Sequence, residues 1–289
     1  MAATVDSVTL GGRSATLLSL GSGEPLLLMH GLAGGTADTY RPVTGELQDR
    51  WACRALWFRG HGPSDWAESY RIEDYGRDVV ELLDAAPDGP TVLVGHSLGS
   101  MVAAYVAATR PDLVRAIFLE DSPYFSILSV ERHRTEVSYA FFESIRAARL
   151  AMIEHGQGLD WLTEQVAGFH AGRPGSTATY RDVAPEPVIA ALASTIAQTD
   201  PAVVVPALEC TLVDKLTTDM LAGIGCPAVL LAGNHGLGSA IRPSDLSLWR
   251  STMPALEIVP VDDAGHMIHL VPKTLSRYQT ELRSFLERV

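Results

Sequence analysis

Short apolar runs alternate with segments of helical periodicity over much of the chain. Ala15 to Leu20 and Pro25 to Met29 read as strands, and the second is a continuous apolar run, as expected of a central strand buried on both faces. Asp38 to Leu47 reads as a helix. Ala52 to Phe58 reads as a strand that leads into the turn-rich segment Arg59-Gly60-His61-Gly62-Pro63-Ser64-Asp65. Ile72 to Ala85 repeats Val79, Leu82 and Leu83 at helical spacing. Thr91 to Val94 is a buried strand, Leu98 to Thr109 a helix rich in small residues, and Val114 to Leu119 a further strand. This order predicts an α/β fold with a mostly parallel, doubly wound sheet.

The alternation then stops. From Ser122 to Asp219 the signal is mostly helical and no clear buried strand appears. It resumes with a strand over Cys226 to Leu231, another over Ala255 to Val261, and a closing helix over Pro272 to Val289. A stretch of roughly one hundred residues is too long for an ordinary loop. The expected organisation is therefore a core of residues 1–121 and 220–289, interrupted by a helical insertion over 122–219. There is no internal repeat.

Composition narrows the function classes. The 289 residues are 47% hydrophobic, enough for one substantial core. The net charge of −12 and the lack of clustered Lys and Arg argue against a nucleic-acid partner. Cys53, Cys210 and Cys226 are scattered, odd in number and without metal spacing, which fits a reducing compartment. The segment Met1 to Asp6 has no basic stretch followed by an apolar one, and apolar runs such as Pro25 to Met29 are too short to span a bilayer. A cytoplasmic protein that acts on a small molecule, with no membrane partner, is expected. No metal-ligand spacing and no glycine-rich dinucleotide fingerprint is present, so no cofactor is expected.

The chemistry centres on Gly95-His96-Ser97-Leu98-Gly99, which lies between a predicted strand and a predicted helix. Glycines at these positions permit a sharp strand-to-helix turn that exposes a serine hydroxyl above the sheet, with the helix N-terminus behind it. His30-Gly31-Leu32-Ala33-Gly34-Gly35 follows an earlier buried strand, so the backbone N–H groups of Leu32 and Leu98 are candidates for an oxyanion hole. A serine needs an imidazole to take its proton. His266, in Asp262-Asp263-Ala264-Gly265-His266 after the last strand, is the best-placed base; His235 is its competitor, and His269 either supports it or packs nearby. His30 is expected to orient its loop.

The set His30-Gly31, Arg59 to Ser64, Gly95 to Gly99 and Ala264-Gly265-His266 resembles the α/β-hydrolase superfamily, in order and spacing, over nearly the whole chain outside the insertion. The insertion would then be the family's cap. The resemblance implies a serine hydrolase but leaves the substrate open. In the family the acid commonly follows the strand at 227–231, three residues after a glycine; here Gly233 is followed by Gly236 at that place, with no carboxylate nearby. Some haloalkane dehalogenases and lactone hydrolases instead carry the acid after the strand that follows the nucleophile helix, at the spacing found between Ser97 and Asp121. Successive strand residues point oppositely, so only one of Glu120 and Asp121 can face His266 easily, with Asp121 favoured; the alternative is that both are strand-end carboxylates bonded to nearby loops.

Arg59, Ser64 and Asp65 are expected to tie down their loop. Trp57 or Phe58 is a candidate to line the pocket, as are Tyr124, Phe125, Phe142 and Trp161 of the insertion, although aromatics at helical spacing are more often core. The leading expectation is a cofactor-independent hydrolase of an ester or lactone of a small, fairly apolar molecule. A C–C bond hydrolase, an acyltransferase or a non-hydrolytic lyase or cyclase on the same scaffold is the alternative, followed by a small-molecule receptor with a vestigial triad.

Overall fold

A computed structural model describes residues 3–86 and 89–289. Met1 and Ala2, the start of the segment read above for a leader, lie outside the described residues. Eight strands form one sheet: β1 (Thr4–Leu10), β2 (Arg13–Leu20), β3 (Glu24–Met29), β4 (Trp51–Trp57), β5 (Thr91–His96), β6 (Val114–Glu120), β7 (Ala228–Gly233) and β8 (Glu257–Val261). Their spatial order is β1-β2-β4-β3-β5-β6-β7-β8. β1 and β2 pair antiparallel, as do β2 and β4, and all later pairings are parallel. The helices of nine residues or more are α1 (Ile72–Asp84), α2 (Leu98–Thr109), α3 (Val137–Glu154), α4 (Leu159–Ala167), α5 (Glu186–Ala197), α6 (Pro243–Thr252) and α7 (Pro272–Leu286). Between β6 and β7 the described residues form no strand, and α3, α4 and α5 fall there. No single helix among the described residues is long and apolar enough to cross a membrane.

The period of two along the strands builds two cores. Leu27, Met29, Leu56, Leu93, Ile117, Leu119 and Leu230 pack on one face with residues of α1, α2 and the insertion. Leu26, Leu28, Ala55, Trp57, Val92, Val94, Phe118 and Leu231 pack on the other with Tyr278, Leu282 and Phe285 of α7. The central strands are buried on both faces, so their sequence reads as unbroken apolar runs.

Two local expectations change. The helix expected over Asp38 to Leu47 is only a 3₁₀ turn, Ala37–Tyr40, followed by a single α-turn, Arg41–Thr44. Pro42, Thr44 and Gly45 are poor helix residues, and the segment ends where they cluster. An edge strand, β1, carries no apolar alternation: most of it is exposed, and Val5 is 59% accessible. It is held by its register with β2, from Thr4 opposite Ser19 to Leu10 opposite Arg13.

The loop after β4 is tied down as its residue types suggest. The Arg59 guanidinium donates to both Asp78 carboxylate oxygens, from Nε at 2.7 Å and Nη2 at 2.5 Å. Ser64 Oγ donates to the Trp57 carbonyl at 2.7 Å and accepts from Thr16 N–H at 3.0 Å. Asp65 Oδ2 accepts from Ser14 N–H at 2.8 Å.

Candidate active site

β5 ends in the turn that carries Ser97. Ser97 has φ 53° and ψ −112°, in a region that costs a non-glycine residue energy and persists only when its surroundings enforce it. Here the two flanking glycines allow the enforcement. A Cβ on Gly99 would sit 2.0 Å from the Met29 carbonyl oxygen, and one on Gly95 would sit 2.2 Å from the Gly99 carbonyl. α2 can therefore begin directly behind the serine and against β3. Gly99 N–H donates to the His30 carbonyl at 3.1 Å, which joins this turn to the loop after β3.

That loop passes beside the serine. A Cβ on Gly31 would lie 3.3 Å from Ser97 Cβ. The histidines around it have fixed tautomers. His30 donates from Nδ1 to the Gly31 carbonyl at 2.8 Å and accepts at Nε2 from Phe58 N–H at 3.1 Å. His61 donates from Nδ1 to the Arg59 carbonyl at 3.0 Å and accepts at Nε2 from Ala33 N–H at 3.0 Å. Burial pushes His30 well below the usual imidazole range and His61 down to about 4, so both stay neutral. The backbone N–H groups of Leu32 and Leu98 donate to no acceptor among the described residues. They belong to the free ends that a loop and a helix N-terminus leave open.

Asp121 stands at the end of β6, where φ of +45° turns the chain out of the strand. Its side chain is fully buried and accepts four hydrogen bonds. Oδ1 takes Gly233 N–H at 3.0 Å and Ser239 Oγ at 2.6 Å; Oδ2 takes Ala240 N–H at 2.7 Å and His266 Nδ1 at 2.6 Å. The His266 ring keeps 31% of its surface accessible. Glu120, one residue earlier, does not reach His266 and binds His269 instead, Oε2 accepting from Nδ1 at 2.7 Å. Ser97 and His266 share no hydrogen bond among the described contacts. They are joined through His96, whose Nε2–H donates to the His266 carbonyl at 2.9 Å. Burial lowers the His96 pKa to about 3.

Asp121 is received by the loop after β7, where the sequence has no carboxylate. Gly236, at the acid's usual place, donates its N–H to Asn234 Oδ1 at 2.9 Å. His235 donates from Nδ1 to the Ser239 carbonyl at 3.1 Å, a contact that shapes the same loop. Nothing in the sequence around Ser239 marks it as a partner for a residue 118 positions earlier.

A cavity of about 470 Å³ opens beside this group, with Gly31, Leu32, His96 and His266 on its floor side. Phe142 lines it, with Phe141, Tyr180 and Leu192 of the insertion. Ser97 lies beside the lining residues Gly31 and His96 and is itself 7% accessible. The other expected lining residues, Trp57, Tyr124, Phe125 and Trp161, are not on the wall. Trp57 falls on the α7 face of the sheet, since Cys53, Ala55 and Trp57 share one side of β4. Tyr124 donates its hydroxyl to the Leu216 carbonyl at 2.7 Å, and its ring and that of Phe125 pack on Trp249. Trp161 packs against the main core from α4. Phe141, Tyr180 and Leu192 carry no local signal that separates them from these core aromatics and aliphatics.

Residues 24–151 match a family model described as alpha/beta hydrolase fold. A 2-(acetamidomethylene)succinate hydrolase of Mesorhizobium japonicum is 34% identical over 144 residues, 48% of this chain and 51% of that protein. The chain spans about half the length, or less, of the curated relatives it matches. A crystal structure of E-2-(acetamidomethylene)succinate hydrolase superposes with a TM-score of 0.71 at 22% identity, covering 99% of this chain and 100% of that one. The structure of Est816, described as an N-acyl homoserine lactone degrading enzyme, gives 0.68 at 20% identity, covering 97% and 100%. At these identities the two structures speak for the fold. With the sheet order, the strand–Ser97–helix turn and the family match over residues 24–151 together, the chain has the alpha/beta hydrolase fold.

Proposed function

We propose that the protein is a serine hydrolase that cleaves an ester or lactone of a small, fairly apolar molecule through an acyl-enzyme. The observation that carries this reading is the Asp121–His266 pair, at 2.6 Å, beside the strained turn that holds Ser97. Ser97 Oγ attacks the carbonyl carbon and its proton passes to His266 Nε2. Asp121 holds the ring in the tautomer that leaves Nε2 free to accept, and stabilises the imidazolium that follows. The Leu32 and Leu98 N–H groups face the oxygen that gains charge, a contribution of about 3–4 kcal/mol per donor in such sites. Collapse breaks the carbonyl–oxygen bond, and His266 returns the proton to the leaving alkoxide. Water, deprotonated by His266, then releases the acyl group and restores Ser97.

Residues 122–219 act as the cap in this reading. Its Phe141, Phe142, Tyr180 and Leu192 give the cavity an apolar wall, which suits a small acyl compound. Two of the similar proteins are a 2-(acetamidomethylene)succinate hydrolase and an N-acyl homoserine lactone degrading enzyme, and a hydrolase of a small acyl compound is in keeping with both.

The test is a panel of activated esters and small lactones with wild-type protein and Ser97→Ala. The variant should lose turnover completely while its circular dichroism and melting curve stay unchanged. A fluorophosphonate should add mass at Ser97 in the wild type and nowhere in the variant. Turnover that survives in Ser97→Ala sinks the proposal.

A further inference from the structure

β6 ends in two adjacent carboxylates, and each takes one histidine of the loop after β8. Asp121 takes His266 and Glu120 takes His269, three residues further on. The second pair has no step in the reaction above, yet it is the more deeply buried. Glu120 is inaccessible and His269 is 2% accessible.

We propose that His269, clamped by Glu120, is a positioning residue that fixes the backbone of the His266 loop against the oxyanion side of the site. It rests on the reading of His266 as the base.

The clamp grips both parts of the residue. Glu120 Oε1 accepts the His269 backbone N–H at 3.0 Å, and Oε2 accepts from its Nδ1 at 2.7 Å. The ring then reaches the other side of the site. It stacks on Tyr40, with centroids 4.7 Å apart and planes 11° from parallel, and its Nε2 lies 3.4 Å from Thr39 Oγ1. Tyr40 donates its hydroxyl to the carbonyl of Met29, the last residue before the oxyanion loop. The base loop is thereby tied through His269 to the segment that carries Leu32. His96 closes the set from a third direction: its ring lies 5.3 Å from His269 and 4.6 Å from His266, and its Nε2–H holds the His266 carbonyl.

Asp121 alone fixes the His266 ring and not the chain that bears it. The chain from Asp262 to Val271 has no regular secondary structure, and its backbone must be placed by contacts of this kind. A buried carboxylate needs such partners to remain charged. Burial raises the Glu120 pKa, but the His269 and His96 imidazoles outweigh it and hold the carboxyl down to about 2, so it stays ionised. The ionisable groups around the pair are His96, His266 and Asp121 at the sheet edge, Tyr40 after β3, and Tyr278 on α7, whose ring is 5.7 Å from His269.

The experiment compares His269→Leu, His269→Asn and Glu120→Gln with the wild type. On an activated ester, His269→Leu and Glu120→Gln should lower kcat about 10–100-fold, the scale of a misplacement of about 1 Å, with KM within about twofold. His269→Asn keeps an N–H aimed at Glu120 and should recover most of that loss. Imidazole N–H resonances give a second readout that needs no turnover, with the His266 signal identified by its loss in Asp121→Asn. That signal should shift or broaden in His269→Leu and persist in His269→Asn. An unchanged kcat and an unchanged His266 signal in His269→Leu overturn the proposal, as does a leucine variant indistinguishable from the asparagine one. If Glu120→Gln does not fold, the two His269 variants decide alone. If the wild type cleaves no ester or lactone, the hydrolase reading fails, and the resonances still decide whether His269 positions His266.

Discussion

Asp121 holds four hydrogen bonds at full burial, three of them from the Gly233–Ala240 loop and one from His266. Changing it to asparagine keeps the shape and removes the charge. It also puts an N–H₂ where two oxygens accept, so His266 turns to the wrong tautomer. Asp121→Asn should therefore lower kcat by about 10³–10⁴-fold, measured on the same activated ester, while the serine still labels slowly. Part of this residue's contact with His266 was legible in the sequence. The lack of a carboxylate at Gly236 removed the usual candidate, and the strand-end pair Glu120-Asp121 offered another at a spacing seen elsewhere in the family. Which of the two meets His266 depends on the φ of +45° at Asp121, and single-residue backbone torsions leave no trace in a sequence pattern. The cavity wall was less legible for a related reason. Phe142 and Trp161 are alike in residue type and in helical context; only the packing of α3 and α4 on the core sends one ring to the cavity and the other inward.

At the scale of elements, the site depends on how closely α2 approaches β3. The contact is made by Gly99, whose missing side chain leaves room for the Met29 carbonyl. A methyl group there runs into the Met29 backbone, which cannot rotate away. Gly99→Ala should cost more than about 4 kcal/mol, the range reserved for forced core rearrangement, and should be read as a large loss in urea midpoint or as insoluble expression. The elements near this contact were the most legible in the chain. β3, β5 and β6 are buried on both faces and read as apolar runs, and α2 follows its glycine turn directly. β1 was not legible, since an exposed edge strand buries too little to impose alternation. The segment at 37–44 forms only short turns; periodicity alone does not register Pro42, whose missing N–H breaks a continuous helix after the 3₁₀ turn, or Gly45, where the α-turn ends.

For the molecule as a whole, buried histidines set the response to acid. Burial pushes His61 and His133 down to about 4 and His96 to about 3, with His30 well below its ordinary value. Unfolding lets each of them take a proton near pH 6.5. Between that pH and its folded-state value the unfolded chain binds more protons, so stability falls as pH falls, by up to about 1.4 kcal/mol per pH unit for each histidine. Glu120 works in a lower window: its depressed folded pKa contributes stability above about 4.5 that is lost on acidification toward 2. Urea midpoints should drop steeply from pH 6.5 to pH 4.5 and stay nearly level from 7 to 8. His133 separates this effect from catalysis. It is inaccessible, neither ring nitrogen has a partner, and it packs among Tyr139 and Phe142. His133→Phe should stabilise the fold at pH 7, and at pH 5 by up to about 2 kcal/mol more. A gain that is equal at both pH values would contradict this account.

The Gly233–Ala240 loop has one more consequence. It lends Asp121 two backbone amides and one hydroxyl, and it contributes no group to the chemistry proposed. Selection on such a segment acts on its path more than on its letters. Mutational scanning should find Gly236 and Leu237 broadly permissive, and Asn234 and His235, whose side chains shape the loop, less so. Intolerance should gather at Gly233, where a Cβ would strike the Gly265 carbonyl at 2.3 Å, at Gly238, where it would strike the Gly172 carbonyl at 2.1 Å, and at Ser239. A family search keyed to an acid in this loop would pass over sequences of this kind, whereas one keyed to the interval from Ser97 to Asp121 would collect them.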